Sequence, residues 1–61
     1  MKTLRQQLQE IARRHGVSLA RVLEEHAERA AIREHLGNMS RDEAEAAAID
    51  DTCDVLGVSR P

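Results

Sequence analysis

Apolar residues recur along the chain at the three- and four-residue spacing of an α-helix, in three stretches separated by glycine. The first stretch places four apolar side chains on one stripe: Leu4, Leu8, Ile11 and Ala12. Thr3 and Gln6 have the spacing of a capping box, and Gly16 suits the left-handed residue that follows a helix. This pattern predicts a first helix over about residues 3–15.

The second stretch begins at Ser18, a favoured N-cap residue, and ends at the Leu-Gly-Asn sequence of residues 36–38. One face collects the following residues: Leu19, Val22, Leu23, His26, Ala27, Ala30 and Ala31. Ile32 and Leu36 lie beside this face, so the helix is expected to contact neighbours on two sides. The pattern predicts a second helix over about residues 18–36.

The third stretch opens with a capping box of Ser40 and Glu43, with acidic residues in the first turn. Its main apolar face is predicted to contain Met39, Ala46, Ile49, Cys53 and Leu56. A thinner stripe on the opposite side contains Ala44, Ala48 and Val55. Gly57 ends the helix, so a third helix is predicted over about residues 40–56, followed by a short tail. Since no segment alternates at the period of a strand, the fold class is predicted to be all-α, a small three-helix domain.

The length of the chain, 61 residues, allows one domain over residues 1–61, close to the lower limit for independent folding. Phe, Tyr and Trp are absent, so the side chains that usually bury the most apolar area are missing. Apolar burial in such a chain only just offsets the conformational entropy that folding costs. We therefore expect a second copy to complete the core in a homodimeric helical bundle.

The sequence also argues against several functional classes. It lacks an apolar run of membrane-spanning length and a secretory signal pattern, and its single cysteine fits a reducing compartment, so a cytoplasmic protein is expected. Sequence patterns of phosphate loops, catalytic triads and paired catalytic carboxylates are missing, and so small a chain encloses little volume for a substrate. We predict a protein that is not an enzyme and uses no cofactor.

His15, His26, His35 and Cys53 are the residues in the sequence that prefer soft metals. Their spacings match neither two ligands one helical turn apart nor a Cys-x-x-Cys pair, so no metal site is predicted. His26 is predicted to lie at the edge of the core or in an interface. Cys53 stands beside carboxylates, which raise the pKa of a thiol, and is predicted to be a small core residue and not a nucleophile.

The segment IARRHGVSLARVL, residues 11–23, resembles the helix-turn-helix segment of bacterial repressors. Five positions carry the resemblance: Ala12, Gly16, Val17, Ser18 and Val22. It implies a DNA-binding motif whose recognition helix begins at Ser18. Arg13, Arg14 and Arg21 would contact phosphates, and Ser18 and Ala20 would lie nearest the bases. Glu24 and Glu25 would face the phosphates on the same helix, and such carboxylates oppose DNA binding.

Charge is distributed unevenly between the ends of the chain. Residues 1–14 contain four basic residues and one acidic residue, whereas residues 41–61 contain two basic and six acidic residues. This polarity predicts attraction between the first and last helices, within one chain or between two. The acidic third helix also resembles small inhibitors from phage and mobile elements that occupy the nucleic-acid site of another protein. The carboxylates concerned are Asp42, Glu43, Glu45, Asp50 and Asp51.

The sequence favours a small non-enzymatic regulatory or interaction protein that docks a helix face onto a partner protein and also associates with itself. The predicted protein interface comprises Leu19, Leu23, Ala27, Ala30, Ile32 and Leu36, with Glu25 and Arg29 at the rim as an ion pair one turn apart. The alternatives are a helix-turn-helix DNA-binding transcriptional regulator and an acidic inhibitor of a nucleic-acid-binding protein. No membrane partner is expected.

Overall fold

The computed structural model describes residues 1–60, and Pro61 lies outside the described residues. It contains three α-helices: α1 (Leu4–His15), α2 (Leu19–His35) and α3 (Arg41–Leu56). The predicted all-α three-helix domain is confirmed, and the predicted bounds differ by one residue because they included the capping residues. Within residues 1–60, no helix combines the length and the apolar character needed to cross a bilayer.

The helices begin at the predicted capping residues. Thr3 Oγ1 accepts a hydrogen bond from the backbone N–H of Gln6 at 3.1 Å, and the side chain of Gln6 accepts the backbone N–H of Thr3 in return. Ser40 and Glu43 form the same box at the start of α3, and Ser18 Oγ accepts a first-turn N–H of α2. These oxygens satisfy N–H groups that have no partner inside the helix, and they allow α2 to begin with only three residues between it and α1.

The two interhelical loops use glycine for different physical reasons. Gly16 has a φ of 65°, a left-handed conformation in which a side chain is strained. Between α2 and α3 the left-handed residue is Asn38, with a φ of 54°. Gly37 is required there for space, because a Cβ atom on it would lie 2.6 Å from the carbonyl oxygen of Arg33.

The core lies where the three helices meet. Its buried members are Leu8, Ile11, Ala12, Val22 and Cys53. Partly buried side chains surround them: Leu4, Val17, Leu19, Leu23, Ile49, Leu56 and Val58. The apolar stripe predicted for α1 is therefore confirmed, and Ile11 and Val22 are among the largest side chains that are fully enclosed.

The contact between α2 and α3 is built from small residues, and here the prediction for α3 is partly wrong. Ala44 and Ala48, which were predicted to form the thinner stripe, are fully buried. Ala30 on α2 is almost completely buried. Ala46, predicted on the main apolar face, and Val55, predicted in the thinner stripe, are both exposed. Small side chains let two helices approach closely, so the alanines become buried although each contributes little apolar area.

The residues that follow α3 return to the fold. Val58 packs against the core, and the carbonyl oxygen of Ser59 lies 3.2 Å from Nε2 of His15, which donates to it. The guanidinium of Arg60 lies 2.8 Å from a carboxylate oxygen of Asp50. The predicted tail is therefore held against both α1 and α3 over its described residues.

Candidate interaction surface

The interface residues predicted on α2 fall into two groups in the structure. Three apolar members take part in the packing of the chain itself: Leu19, Leu23 and Ala30. Three apolar members are exposed: Ala27, Ile32 and Leu36. Only the second group, with the exposed edges of the two leucines in the first, is accessible to another molecule while the chain stays folded.

The exposed members lie on two different flanks of α2. Ile32 and Leu36 are one turn apart and form what we call the leucine flank. Ala27 precedes Ile32 by five residues, which places it about 140° away around the helix axis. We call this second side the alanine flank, where the exposed residues Ala20, Glu24, Ala27 and Ala31 follow one stripe of the helix.

On the leucine flank, Leu36 is 84% exposed and Ile32 is 40% exposed. The half-buried Glu25 and Arg29 precede them at spacings of seven and three residues from Ile32, so all four side chains follow one stripe of the helix. The predicted ion pair between Glu25 and Arg29 is wrong in its acidic partner. The Arg29 guanidinium lies 2.8 Å from a carboxylate oxygen of Glu28 instead. Nε of Arg29 is buried and has no hydrogen-bond partner among residues 1–60.

Beside the alanine flank, a groove of about 210 Å³ runs between α2 and α3. Three alanines line it: Ala27, Ala30 and Ala31. Three charged side chains also line it: Glu34, Arg41 and Glu45. We call it the α2–α3 groove.

His26 forms part of the same groove wall and is only 5% exposed. Its Nε2 lies 2.9 Å from the backbone carbonyl oxygen of Glu45. Because a carbonyl oxygen only accepts hydrogen bonds, this nitrogen carries the proton. The prediction that His26 lies at the edge of the core is confirmed, and the hydrogen bond joins α2 to α3.

Most carboxylates of the proposed acidic inhibitor surface are engaged within the chain. Asp51 accepts two hydrogen bonds from Arg33, at 2.6 and 2.9 Å, and this guanidinium lowers the pKa of the Asp51 carboxyl below its usual value. Asp50 pairs with Arg60, and Glu43 completes its capping box. The other two, Asp42 and Glu45, take part in neither an ion pair nor a capping box in the described part of the chain. The helix therefore does not present five free carboxylates.

The residues of the helix-turn-helix resemblance lie around the turn between α1 and α2. Arg13 and Arg21 are exposed, and neither forms an ion pair within residues 1–60. Arg14 lies 3.9 Å from Glu10 on its own helix. Ala20 is exposed. Ser18 is also exposed, but its hydroxyl is used to cap α2.

Elsewhere in the described part of the chain, few polar side chains converge on one place. A depression of about 350 Å³ along α1 has charged and amide side chains in its wall, and a pair between Lys2 and Glu10 lowers the pKa of the Glu10 carboxyl. The described residues contain no group of three or more His, Cys, Asp or Glu side chains placed to hold a metal ion. Cys53 is fully buried, and burial raises the pKa of its thiol, which disfavours the thiolate that a nucleophile needs.

Sequence reasoning missed two features of the α2–α3 contact. The first is the Arg33–Asp51 pair, whose members are 18 residues apart and therefore share no helical spacing. The second is Thr52, which is fully buried and donates its hydroxyl to the carbonyl oxygen of Ala48 at 2.6 Å. A signal for Thr52 was available, since a threonine inside a helix can satisfy its hydroxyl on the carbonyl four residues earlier.

No protein-family model, no curated protein and no solved structure matches this chain. Its function is therefore inferred from its own surfaces. Several surfaces are accessible to another molecule, among them the leucine flank, the alanine flank with the α2–α3 groove, and the arginines around the first turn.

Proposed function

We propose that this chain is a small non-enzymatic regulatory or interaction protein that binds a partner protein through α2. The observation that carries the proposal is the leucine flank, where Leu36 and Ile32 are 84% and 40% exposed on the same side of one helix. Neither side chain is needed to fill the core, which lies on another side of α2. Both are free to be buried by a partner.

The flank indicates the chemistry of that partner. Apolar side chains one turn apart are the anchors that a helix inserts into an apolar groove of another protein. Full burial of each aliphatic side chain contributes roughly 1.5–3 kcal/mol relative to full exposure. Glu25 and Arg29 follow the same stripe toward the start of α2 and place one charge of each sign beside the anchors. The partner therefore has a short apolar groove with polar groups at one end.

The test begins with a photoreactive amino acid at position 36, used to cross-link and identify the partner in an extract of the organism that encodes the chain. Binding of the purified partner is then measured by calorimetry for the native chain, Leu36→Asp and Val55→Asp. Val55 is an exposed aliphatic residue on α3 and serves as the matched control. We expect at least tenfold weaker binding for Leu36→Asp and less than a twofold change for Val55→Asp. Equal binding by the native chain and Leu36→Asp contradicts the proposal.

DNA binding through the turn between α1 and α2 is a second candidate function. The observation that favours it is the exposure of Arg13 and Arg21 on either side of this turn, without an ion pair to either in the described part of the chain. Phosphate contacts release counterions, so a DNA binder shows weak, steeply salt-dependent affinity even for a generic duplex. Fluorescence anisotropy of a labelled duplex at low and moderate salt measures this. Binding that is lost in the Arg13→Ala, Arg21→Ala double variant supports DNA binding, and no binding at low salt eliminates it.

A further inference from the structure

We propose that a groove between α1 and α3 binds an arginine side chain on the surface of a basic partner protein. The groove has a volume of about 210 Å³, and its lining residues belong to α1 and α3. They are Leu4, Gln7, Asp42, Glu45, Ala46 and Ile49. We call it the α1–α3 groove. Because these residues are not those of the leucine flank, the proposal does not depend on the proposed function.

The floor of the α1–α3 groove is apolar. Leu4 and Ile49 pack against the core and remain half-buried, so part of each side chain lines the groove. Ala46 lies between them with only a methyl group and leaves space above the floor. An apolar cavity of about 150 Å³ holds a benzene molecule, so a groove of about 210 Å³ has room for one long side chain.

One wall of the groove is negatively charged. Asp42 and Glu45 are three residues apart on α3, so their side chains lie one above the other on the same stripe. Neither takes part in an ion pair or a capping box among residues 1–60. The backbone at Glu45 is held in place, because its carbonyl oxygen lies 2.9 Å from Nε2 of His26. The groove therefore presents two carboxylates that the described part of the chain does not neutralise.

The basic residues closest in sequence to these walls are directed elsewhere. Arg41 precedes Asp42 but lines the α2–α3 groove, and it forms no ion pair with either carboxylate. Lys2 accepts a hydrogen bond from the side chain of Gln7 on its backbone carbonyl, but its ammonium group pairs with Glu10. The cation that complements the groove therefore comes from another molecule.

Arginine combines the two properties that the groove calls for. Its aliphatic stem covers apolar surface while its charged end reaches a polar rim. Its planar guanidinium carries five N–H donors, is weakly hydrated and pairs with carboxylates in a fixed geometry, whereas the lysine ammonium is a strongly hydrated point charge. Two carboxylates one turn apart repel phosphates, which makes nucleic acids and anionic lipid surfaces unsuitable occupants. The occupant is therefore a protein that exposes an arginine.

A titration of the isotope-labelled native chain with N-acetyl-arginine methylamide, followed by NMR at low salt, tests the site. N-acetyl-citrulline methylamide is the matched control, because citrulline has nearly the same shape without the charge. We expect saturable shifts at the amides of Gln7, Ala46 and Ile49, with at least fivefold weaker binding of the citrulline compound. Equal binding of the two compounds, or shifts that are equally large around Asp54, overturns the proposal. Because this comparison uses the native chain, it does not depend on how any variant folds.

Substitutions test the carboxylates. The double variant Asp42→Asn, Glu45→Gln keeps the size of both side chains and the backbone carbonyl that His26 contacts. We expect it to bind the arginine compound at least tenfold more weakly, with its helical circular dichroism retained. Glu24→Gln is the matched control, since Glu24 is an exposed glutamate without an ion pair in the described residues and does not line the groove. It is expected to bind within twofold of the native value, and native affinity in the double variant overturns the proposal.

A photoreactive amino acid at position 46 then identifies the protein that contributes the arginine. Replacing the arginine in the cross-linked segment of that protein with alanine is expected to weaken its binding at least tenfold. Binding that this replacement leaves unchanged, or a groove that binds the free compound and cross-links no protein, overturns the assignment to a partner protein. Glu45→Gln is expected to leave the Leu36-dependent binding of the proposed function within twofold of the native value, so the two proposals fail separately.

Discussion

Two regions of this small fold are held together by opposite kinds of packing. Around Ile11 and Val22, the three helices meet through branched aliphatic side chains that are fully enclosed. Between α2 and α3, the buried residues are alanines, such as Ala48, together with Thr52. The first region gains stability from the apolar area that each residue buries, and the second from the short distance between the helices. The two regions should therefore respond oppositely to a change in side-chain size.

Shortening a side chain should have its largest effect in the aliphatic region. Ile11→Ala removes a fully enclosed side chain and leaves a cavity, at a cost of about 2–5 kcal/mol in the free energy of unfolding. For a chain this small, that cost is a large part of the total stability. Urea unfolding followed by circular dichroism measures it. Ile32→Ala is the matched control, because Ile32 is exposed, and it should change the stability by less than about 0.5 kcal/mol. Equal effects at both positions would show that the aliphatic region does not dominate the core.

Enlarging a side chain should have the second-largest effect, in the alanine region. Ala48→Leu inserts an aliphatic side chain where the helices leave no space, and overpacking of this kind costs about 1–3 kcal/mol. The same change at the exposed Ala46 should be close to neutral in thermal unfolding. If Ala48→Leu were tolerated as well as Ala46→Leu, the close approach of α2 and α3 would be wrong.

The smallest effect expected here concerns the ion pair that joins the same two helices. Arg33 lowers the pKa of Asp51 in the folded chain, so the pair stabilises the fold at pH values above the unfolded pKa of an aspartate, about 4. As the pH falls through the lower folded pKa, this contribution is lost. Asp51→Asn should therefore unfold at a lower temperature than the native chain at pH 7, and the difference should shrink below pH 4. A difference in melting temperature that does not change with pH would show that the pair contributes no linked stability.

The sequence predicts the fold well wherever the signal is local. The capping boxes at Thr3 and Ser40 and the left-handed Gly16 depend on residues within one turn, and all three are confirmed. The apolar stripe of α1 is confirmed, because large apolar residues on one side of a helix leave water only by packing against the other helices. The packing side of α3 is not predictable in the same way, because Ala44 and Ala46 have the same hydropathy and only the position of α2 decides which is buried.

The candidate surface is less predictable for a related reason. Leu23 and Leu36 are the same residue type on the same helix, yet one packs against the core and the other is 84% exposed. Helical spacing places them on different sides of α2, but it does not tell which side the other helices cover. The Arg33–Asp51 pair is also invisible in the sequence, since its members are brought together only by the packing of α2 on α3.

The central claim is that the leucine flank of α2, where Leu36 is 84% exposed, binds a partner protein. The most direct measurement is the calorimetric affinity of the purified partner for the native chain, Leu36→Asp and Val55→Asp. The account predicts binding at least tenfold weaker for Leu36→Asp and within twofold of the native value for Val55→Asp. Equal affinities for the native chain and Leu36→Asp would contradict it.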